Sequence, residues 1–555
     1  MQKFNLLSGV SSAPGRVRTF REHPEYNTTP HSCALFCYNN DPVELVKFVT
    51  IALKGGAGVK IIFPAHTSFD LGEIEPAEIR YTIDPTHPDA AKIDADNNFK
   101  VEYDDSDYAS QVFDVTPLDT ISGINGILSA IDEIYFYAGS PILVDLSNLR
   151  PAATINKWGM QSSGPSSFWD IFKSFHEFCQ NPSIGSLLIC LGYVNHTMRR
   201  GGYKKGIVTS AMEYDCPLVS EYLDVDITGL LGSHKLGLII DPEVMLPREL
   251  VFKIVDKRNE QSLFLEKVTP TRKTWYNVCM GLNLGHRGTC LIWRVNLGLC
   301  RTAQEIVQGF IEATHELVKL HLTWRDSKSN PGIYANLEDD CQVGLDVMGL
   351  ANYLSIQGIT YLEFVEGLEL YPKNYDWHRE SKVYKLLDAI AKGYESAIET
   401  ADKMMLDRGY PPLERMFTVE PAQSHSYETL DSAGYTTCRG IFAPFGRLTN
   451  RTSDSEINRV YNHGKVETAS EIGADLQIRL CNGWQVLMNS TGRAHAISQD
   501  TYAPMTVGTY MDWVDSPSRT LYYAEHNNYN QRRHLAKSIA VCTIDDENGC
   551  SSCAE

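Results

Sequence analysis

The chain has no apolar run approaching the ~18 residues that a membrane span needs, and its first residues, "MQKFNLLSGVSSAPGR", lack the apolar centre of a signal peptide. Neither a membrane partner nor export is expected, and the expected location is the cytoplasm. An excess of positive charge is also missing. The formal net charge is −19 over 555 residues, so a general grip on nucleic acid, which needs a basic face to displace counterions, is excluded. Cysteine is too sparse for a disulfide scaffold, at 14 in the whole chain. No paired Cys/His spacing of a zinc site occurs, so no metal is expected in this chain. Internal repeats and low-complexity segments are absent as well.

The composition that remains is that of a folded chain with a large core: 43% hydrophobic, 21% charged and 10% aromatic residues. "DPVELVKFVTIALKGGAGVKIIF" (41–63) predicts an amphipathic helix, a glycine stop and a strand. Residues 66–138 are acidic and rich in turn signals, and read as an insertion. "SPILVDLSNLRP" resumes as a strand and loop, and "FWDIFKSFHEFCQ" is helical. "SLLICLGYV", "KLGLII" and "TCLIWRVNL" read as buried strands, and 302–322 and 381–406 as long helices. Alternating strands and helices predict an α/β body. From about 525 onward the chain turns polar and is expected to end as a flexible tail.

Most cysteines sit singly in apolar surroundings, as Cys190 and Cys481 do, and read as small core residues. Three placements differ. They are Cys33 in "HSCALFC", the pair Cys279 and Cys290 in "NVCMGLNLGHRGTC", and Cys550 and Cys553 in the terminal "NGCSSCAE". The last pair is close enough to form a disulfide that constrains little chain, which suits redox exchange rather than stability. "MRRGGYKKG" is the one compact basic stretch, and on composition alone reads as a solvated turn.

Taken together and in chain order, these stretches resemble the large, catalytic subunit of ribonucleotide reductase. "HSCALFCYNNDPVELVKFVTIALKGGAGVKI" resembles that family's first redox-cysteine segment, and "NVCMG" the tip of its finger loop, Asn-x-Cys-x-Glu. "TCLIWRVNLG" resembles the strand carrying the second redox cysteine. "VGLDVMGLANYL" (343–354) resembles V-G-L-G-V-M-G-L-A-D-x-L, the most specific single match. "RTLYYAE" is similar to the radical-transfer tyrosine dyad, and "CSSCAE" to the reducing tail.

The resemblance implies a ten-stranded α/β barrel of the ribonucleotide reductase and glycyl-radical-enzyme type with a central finger loop. Residues 1–65 would begin the barrel, 66–138 form an inserted effector-region subdomain, 139–524 complete the barrel and 525–555 form the redox tail. The segment ahead of Cys33 is too short for an ATP-cone, so control through a cone is not expected.

The implied chemistry removes a ribose 3′ hydrogen with a thiyl radical on Cys279. Cys33 and Cys290 supply the electron pair, and Cys550 and Cys553 re-reduce their disulfide before a thioredoxin- or glutaredoxin-like protein restores the tail. Asn277 would bind the substrate or order the site, and Ser32 would contact the sugar or phosphate. Pro421, Ala422, Gln423, Ser424 and His425 align with a phosphate-binding turn. Asp41, Arg150, Arg199 and Arg200 are the candidates for sensing a nucleotide effector, dNTP or ATP.

Tyr522 and Tyr523 imply a class I radical route from a separate metal-containing β subunit, with no cofactor in this chain. The 66–138 insertion and "ILVDLSNLRPAATINKWGMQSSGPSSF" instead resemble monomeric class II enzymes that use adenosylcobalamin. Such hybrids occur among phage-encoded reductases, so a viral origin in a host cytoplasm is expected, with the chain monomeric on its own.

The pattern breaks at one position. The family's finger-loop glutamate, general base on the 3′ hydroxyl, should stand at 281, where this chain has Gly281. Another carboxylate, His286 or water would have to serve. Otherwise the chain is a slow enzyme or an inactive nucleotide-binding regulatory paralogue. If the missing base limits turnover, replacing Gly281→Glu is expected to raise the rate of deoxyribonucleotide formation.

Overall fold

The structure is a computed structural model. It describes residues 19–21, 33–54, 57–71, 76, 79–91, 93, 113–115, 123–136, 142–154, 162–200, 204–205, 207–226, 233–261 and 263–268, and then 274–325, 334–337, 339–373, 380–420, 429–452, 458–501 and 503–524. Ser32, Pro421, Ala422, Gln423, Ser424, His425, Cys550 and Cys553 lie outside these residues.

Ten strands, numbered here in chain order, form the frame. They are β1 (Cys33–Cys37), β2 (Gly58–Phe63), β3 (Ile207–Glu213), β4 (Ser233–Ile240), β5 (Phe264–Lys267), β6 (Ile292–Asn296), β7 (Gln342–Met348), β8 (Arg415–Val419), β9 (Ala494–Thr501) and β10 (Thr520–Ala524). β1 to β5 lie side by side in sequence order and are mutually parallel, and so are β6 to β10. The two halves meet antiparallel where β5 pairs with β10. A second antiparallel contact, the bridge between Ala34 of β1 and Thr289 just ahead of β6, closes the ring. Thr19–Arg21 adds a short antiparallel strand along β6. This is the ten-stranded α/β barrel expected from the sequence.

Parallel strands need crossovers, and here these are helices that cover the outside. Side chains alternate along each strand. Val59, Ile61 and Phe63 face the helices of the first half, and Trp293, Val295, Leu345 and Phe417 face those of the second. The opposite faces of the strands supply a third, interior core of Leu35, Ile62, Ala211, Ile239, Phe264, Ile292, Ala496 and Tyr522.

The interior also holds charge. Lys60 and Glu266 form a fully buried pair at 3.0 Å, and Arg294 pairs with Asp346. Burying such ions costs several kcal/mol each unless they are paired, so the pairs are conditions for the barrel to close rather than a surplus of stability.

The segment "SLLICLGYV" is not a strand. It lies in the helix Ile184–Thr197, started by a reciprocal cap between Ser183 and Ser186. The helix is buried on most sides, so its apolar residues show no helical stripe, and a short apolar run does not distinguish helix from strand. Within the inserted region, Ile79–Thr82 and Phe113–Val115 flank Ile142–Asp145 in a small parallel sheet, so its central strand follows residue 138. Helix Gly123–Phe136 packs in the same core as the first barrel half and is tied to helix Pro42–Lys54 by the pair Lys47–Asp132. No helix among the described residues is long and apolar enough to cross a membrane.

His495 joins the second half to the interior loop. Its Nδ1 accepts from Asn283 N–H at 3.0 Å, and its Nε2 donates to Val343 O at 2.9 Å. Burial pushes its pKa from 6.5 to about 3, so the ring is neutral. The unfolded chain takes up this proton first as pH falls, so the stability from His495 is complete above about 6.5 and is lost toward 3. Replacing His495→Ala is expected to cost about 2 kcal/mol at neutral pH, because two buried backbone groups lose their partner. Urea titrations should show the difference from wild type shrinking as pH falls from about 7 to about 4.

Candidate active site

A hairpin enters the barrel between β5 and β6. Trp275–Tyr276 pairs antiparallel with Asn283–Leu284, and the tip between them carries Cys279. The tip turns tightly, with Met280 at φ 65°, a left-handed conformation rare for a side chain of that size. Three interior hydroxyl and backbone donors hold it in place. Ala496 N–H donates to Gly281 O at 2.9 Å, Ser498 Oγ to Cys279 O at 2.5 Å and Thr520 Oγ1 to Met280 O at 2.9 Å. At the base, Tyr276 N–H donates to the Glu266 carboxylate at 2.9 Å, and Lys60 Nζ reaches Met280 Sδ at 3.5 Å. The buried Lys60–Glu266 pair therefore supports the finger.

Asn277 organises the tip. Its Oδ1 accepts from Gly281 N–H at 3.0 Å and Leu282 N–H at 3.1 Å. Its Nδ2 donates to Glu420 Oε1 at 2.9 Å and to Cys290 Sγ at 3.4 Å. All four hydrogen-bonding positions of the amide are used within the protein. These contacts order the fingertip.

Cys290 is buried on the interior side of the wall. The antiparallel bridge Ala34–Thr289 places Cys33, one residue back, across from Cys290, one residue on. Two residues far apart in sequence thus share one seam of the barrel.

Tyr522 and Tyr523 stand in β10 beside the finger. Their ring centroids are 4.2 Å apart, and Phe264 packs on Tyr522 at 4.7 Å. Burial, then the neighbouring Tyr523 and Cys279, hold the Tyr522 phenol well above its ordinary pKa, so it is neutral and within electrostatic reach of the Cys279 thiol. Fully buried Arg258 fixes this strand from behind, donating to Tyr522 O at 3.1 Å, Tyr523 O at 3.4 Å and Thr501 Oγ1 at 3.0 Å.

The remaining sequence candidates lie elsewhere. Asp41 caps helix Pro42–Lys54, its Oδ1 accepting from Glu44 N–H at 2.9 Å. Arg150 is exposed at the end of the inserted region. Arg199 and Arg200 form a two-residue ladder with Lys204–Lys205. His286 accepts from Cys37 N–H at 3.0 Å through Nδ1, packs edge-on against Phe36 and is lowered in pKa by burial and Arg287. Its Nε2 accepts from Arg287 Nε–H at 3.3 Å, so both ring nitrogens are engaged in the wall.

Sequence reading missed Glu420. It directly follows β8, is 1% exposed and shares the amide of Asn277 with Cys290. Burial and the nearby Asp346 raise its pKa to about 8, against Asn277, Arg294 and Cys279, which pull it down. A Cβ placed on Gly281 would lie 2.4 Å from Glu420 Oε1 and 2.6 Å from Cδ. The visible signal was a lone carboxylate ending a buried strand in "FTVEP".

No family model matches the chain, and no curated protein matches it. Solved structures do. A B12-dependent, class II ribonucleotide reductase superposes with TM-score 0.65 at 10% identity, over 89% of this chain and 78% of that one. The class Id ribonucleotide reductase α subunit of Actinobacillus ureae gives 0.44 at 12% identity, over 74% of this chain and 83% of that one. The anaerobic reductase of Thermotoga maritima gives 0.38 at 10%, over 91% and 81%.

Because the Glu420 carboxyl fills the space beside Gly281, a side chain at 281 is now expected to harm rather than help. Gly281→Ala should cost about 1–3 kcal/mol by overpacking, and Gly281→Glu should lower activity. A double-mutant cycle measured by thermal unfolding should show a smaller cost for Gly281→Ala in a Glu420→Ala background. At the level of architecture, the chain has the barrel and finger loop of the ribonucleotide reductase fold.

Proposed function

We propose that the chain is the catalytic subunit of a ribonucleotide reductase, converting ribonucleotides to 2′-deoxyribonucleotides by thiyl-radical chemistry. The observation that carries this reading is the fingertip. Cys279 is held inside the barrel with a closely packed, mutually tilted tyrosine pair on one flank and, through Asn277, the buried thiol of Cys290 on the other.

In this reading a hole passes from Tyr523 to Tyr522 and on to Cys279, each phenol losing its proton with its electron. The thiyl radical takes the 3′ hydrogen of the bound ribose. Cys33 and Cys290 deliver two electrons and two protons as the 2′ hydroxyl leaves as water, and a disulfide forms between them. The tail dithiol Cys550/Cys553 and a thioredoxin-like reductant would restore them.

Two sources of the radical compete. The likeness to a B12-dependent enzyme favours adenosylcobalamin, which would supply a carbon-centred radical when bound. The tyrosine pair, with ring centroids 4.2 Å apart beside the finger, favours a separate metal-containing subunit. Nucleotide effector control through Asp41, Arg150, Arg199 and Arg200 belongs to the same proposal.

The test incubates the chain with a ribonucleotide and dithiothreitol, alone, with adenosylcobalamin or with a radical-generating subunit, and quantifies deoxyribonucleotide. Product is expected with the radical subunit, and Tyr522→Phe should remove at least about 99% of it while leaving the melting profile unchanged. Product with adenosylcobalamin alone would establish the second source. No product under any condition would overturn both.

A further inference from the structure

Among the described residues, several buried carboxyl groups stand near the finger. Glu266 is paired with Lys60, Asp346 with Arg294 and Asp500 with Arg439. Glu420 differs, since its side-chain partners are an amide, Asn277, and a thiol, Cys279. Its carboxyl reaches into the volume where a side chain on residue 281 would begin. The same Asn277 Nδ2 touches Glu420 and Cys290, so the carboxyl and the reducing thiol converge on one amide.

We propose that Glu420 is the catalytic proton acceptor and donor for the ribose 3′ hydroxyl, entering from β8 to the place left open by Gly281. The proposal rests on the reductase reading. Once the 3′ hydrogen has gone to the Cys279 thiyl, the 3′ O–H bond breaks and its proton forms an O–H bond on Glu420. The 2′ C–O bond breaks in the same stage, and the oxygen leaves as water with a proton from one thiol of the Cys33/Cys290 pair. The hydrogen of the other thiol forms the new C–H bond at the 2′ carbon, and the pair, having supplied both electrons, closes its disulfide. Glu420 returns its proton to the 3′ oxygen when Cys279 gives back the hydrogen, so the carboxylate ends as it began.

The surroundings suit this exchange. Burial and Asp346 favour the protonated carboxyl, while Asn277, Arg294 and Cys279 favour the ionised one, leaving its pKa at about 8. A proton acceptor works best when poised near the operating pH. Since the acceptor must be ionised to act, turnover should rise with pH through that value.

The experiment uses the full chain with whichever radical source supports wild-type turnover. Glu420→Gln is expected to lower kcat by roughly a hundredfold or more, with nucleotide affinity within about threefold of wild type. Glu420→Asp should keep partial activity and displace the rising limb of the pH profile. Gly281→Glu combined with Glu420→Gly should recover about tenfold or more over Glu420→Gly alone, because the carboxyl is moved rather than lost. An active wild type whose Glu420→Gln variant stays within about threefold in kcat would overturn the proposal alone. So would an unchanged pH profile in Glu420→Asp together with no recovery in the relocated pair, which is the decisive comparison if Glu420→Gln does not fold. A wild type that forms no product with either radical source would overturn the reductase reading, and this proposal with it.

Discussion

One side-chain amide holds the centre of this molecule. Asn277 accepts the two backbone N–H groups that shape the fingertip and donates to a carboxyl and a thiol brought from two other strands. A buried amide is costly when left unpaired, so the barrel can only close in the register that satisfies all four contacts. Finger, β8 and the strand entering β6 are thereby fixed relative to one another. The position of Cys279 follows from that fixing rather than from anything intrinsic to a cysteine in a loop.

The interior is not an oily core. Interior-facing strand positions carry Lys60, Glu266, Arg294 and Asp346, and Glu420 follows directly on β8, all nearly inaccessible to solvent. The first two brace the finger, and Arg294 also donates to Glu420 O at 3.3 Å. Such groups are a poor way to gain stability, because desolvation consumes what Coulomb attraction returns. Their arrangement makes sense if the interior must be polar enough to move a proton and a hole, yet closed enough that water does not intercept either.

Much of the frame was legible in the sequence because it depends on local patterns. "GVKIIF" and "KLGLII" read as strands, the stripe in 381–406 read as a helix, and "NVCMG" marked the fingertip. The seam between β1 and β6 was legible only through resemblance, since Cys33 and Cys290 carry no local signal that their segments lie side by side. The helix Ile184–Thr197 was misread because burial on most sides erases its periodicity. Glu420 stayed hidden for a different reason. Its partner Asn277 is 143 positions away, and the glycine at 281 looks like a loss until the neighbouring strand is seen filling the gap. A deletion at one site and a carboxylate at another are a single change in space, which no window along the chain can contain.

The seam has a mechanical side. Each half of the barrel is a continuous run of sequence, and among the described residues the strands of the two halves pair along two antiparallel edges. On the proposed pairing, a bond between Cys33 and Cys290 would weld one of those edges and turn an open chain into a covalent ring enclosing the entire first half and the finger. Chain entropy drives unfolding less strongly while the loop is closed than once it is cut. Each catalytic cycle would then alternate the scaffold between a welded and an unwelded hoop, making the rigidity of the barrel itself a reporter of how far the reaction has gone.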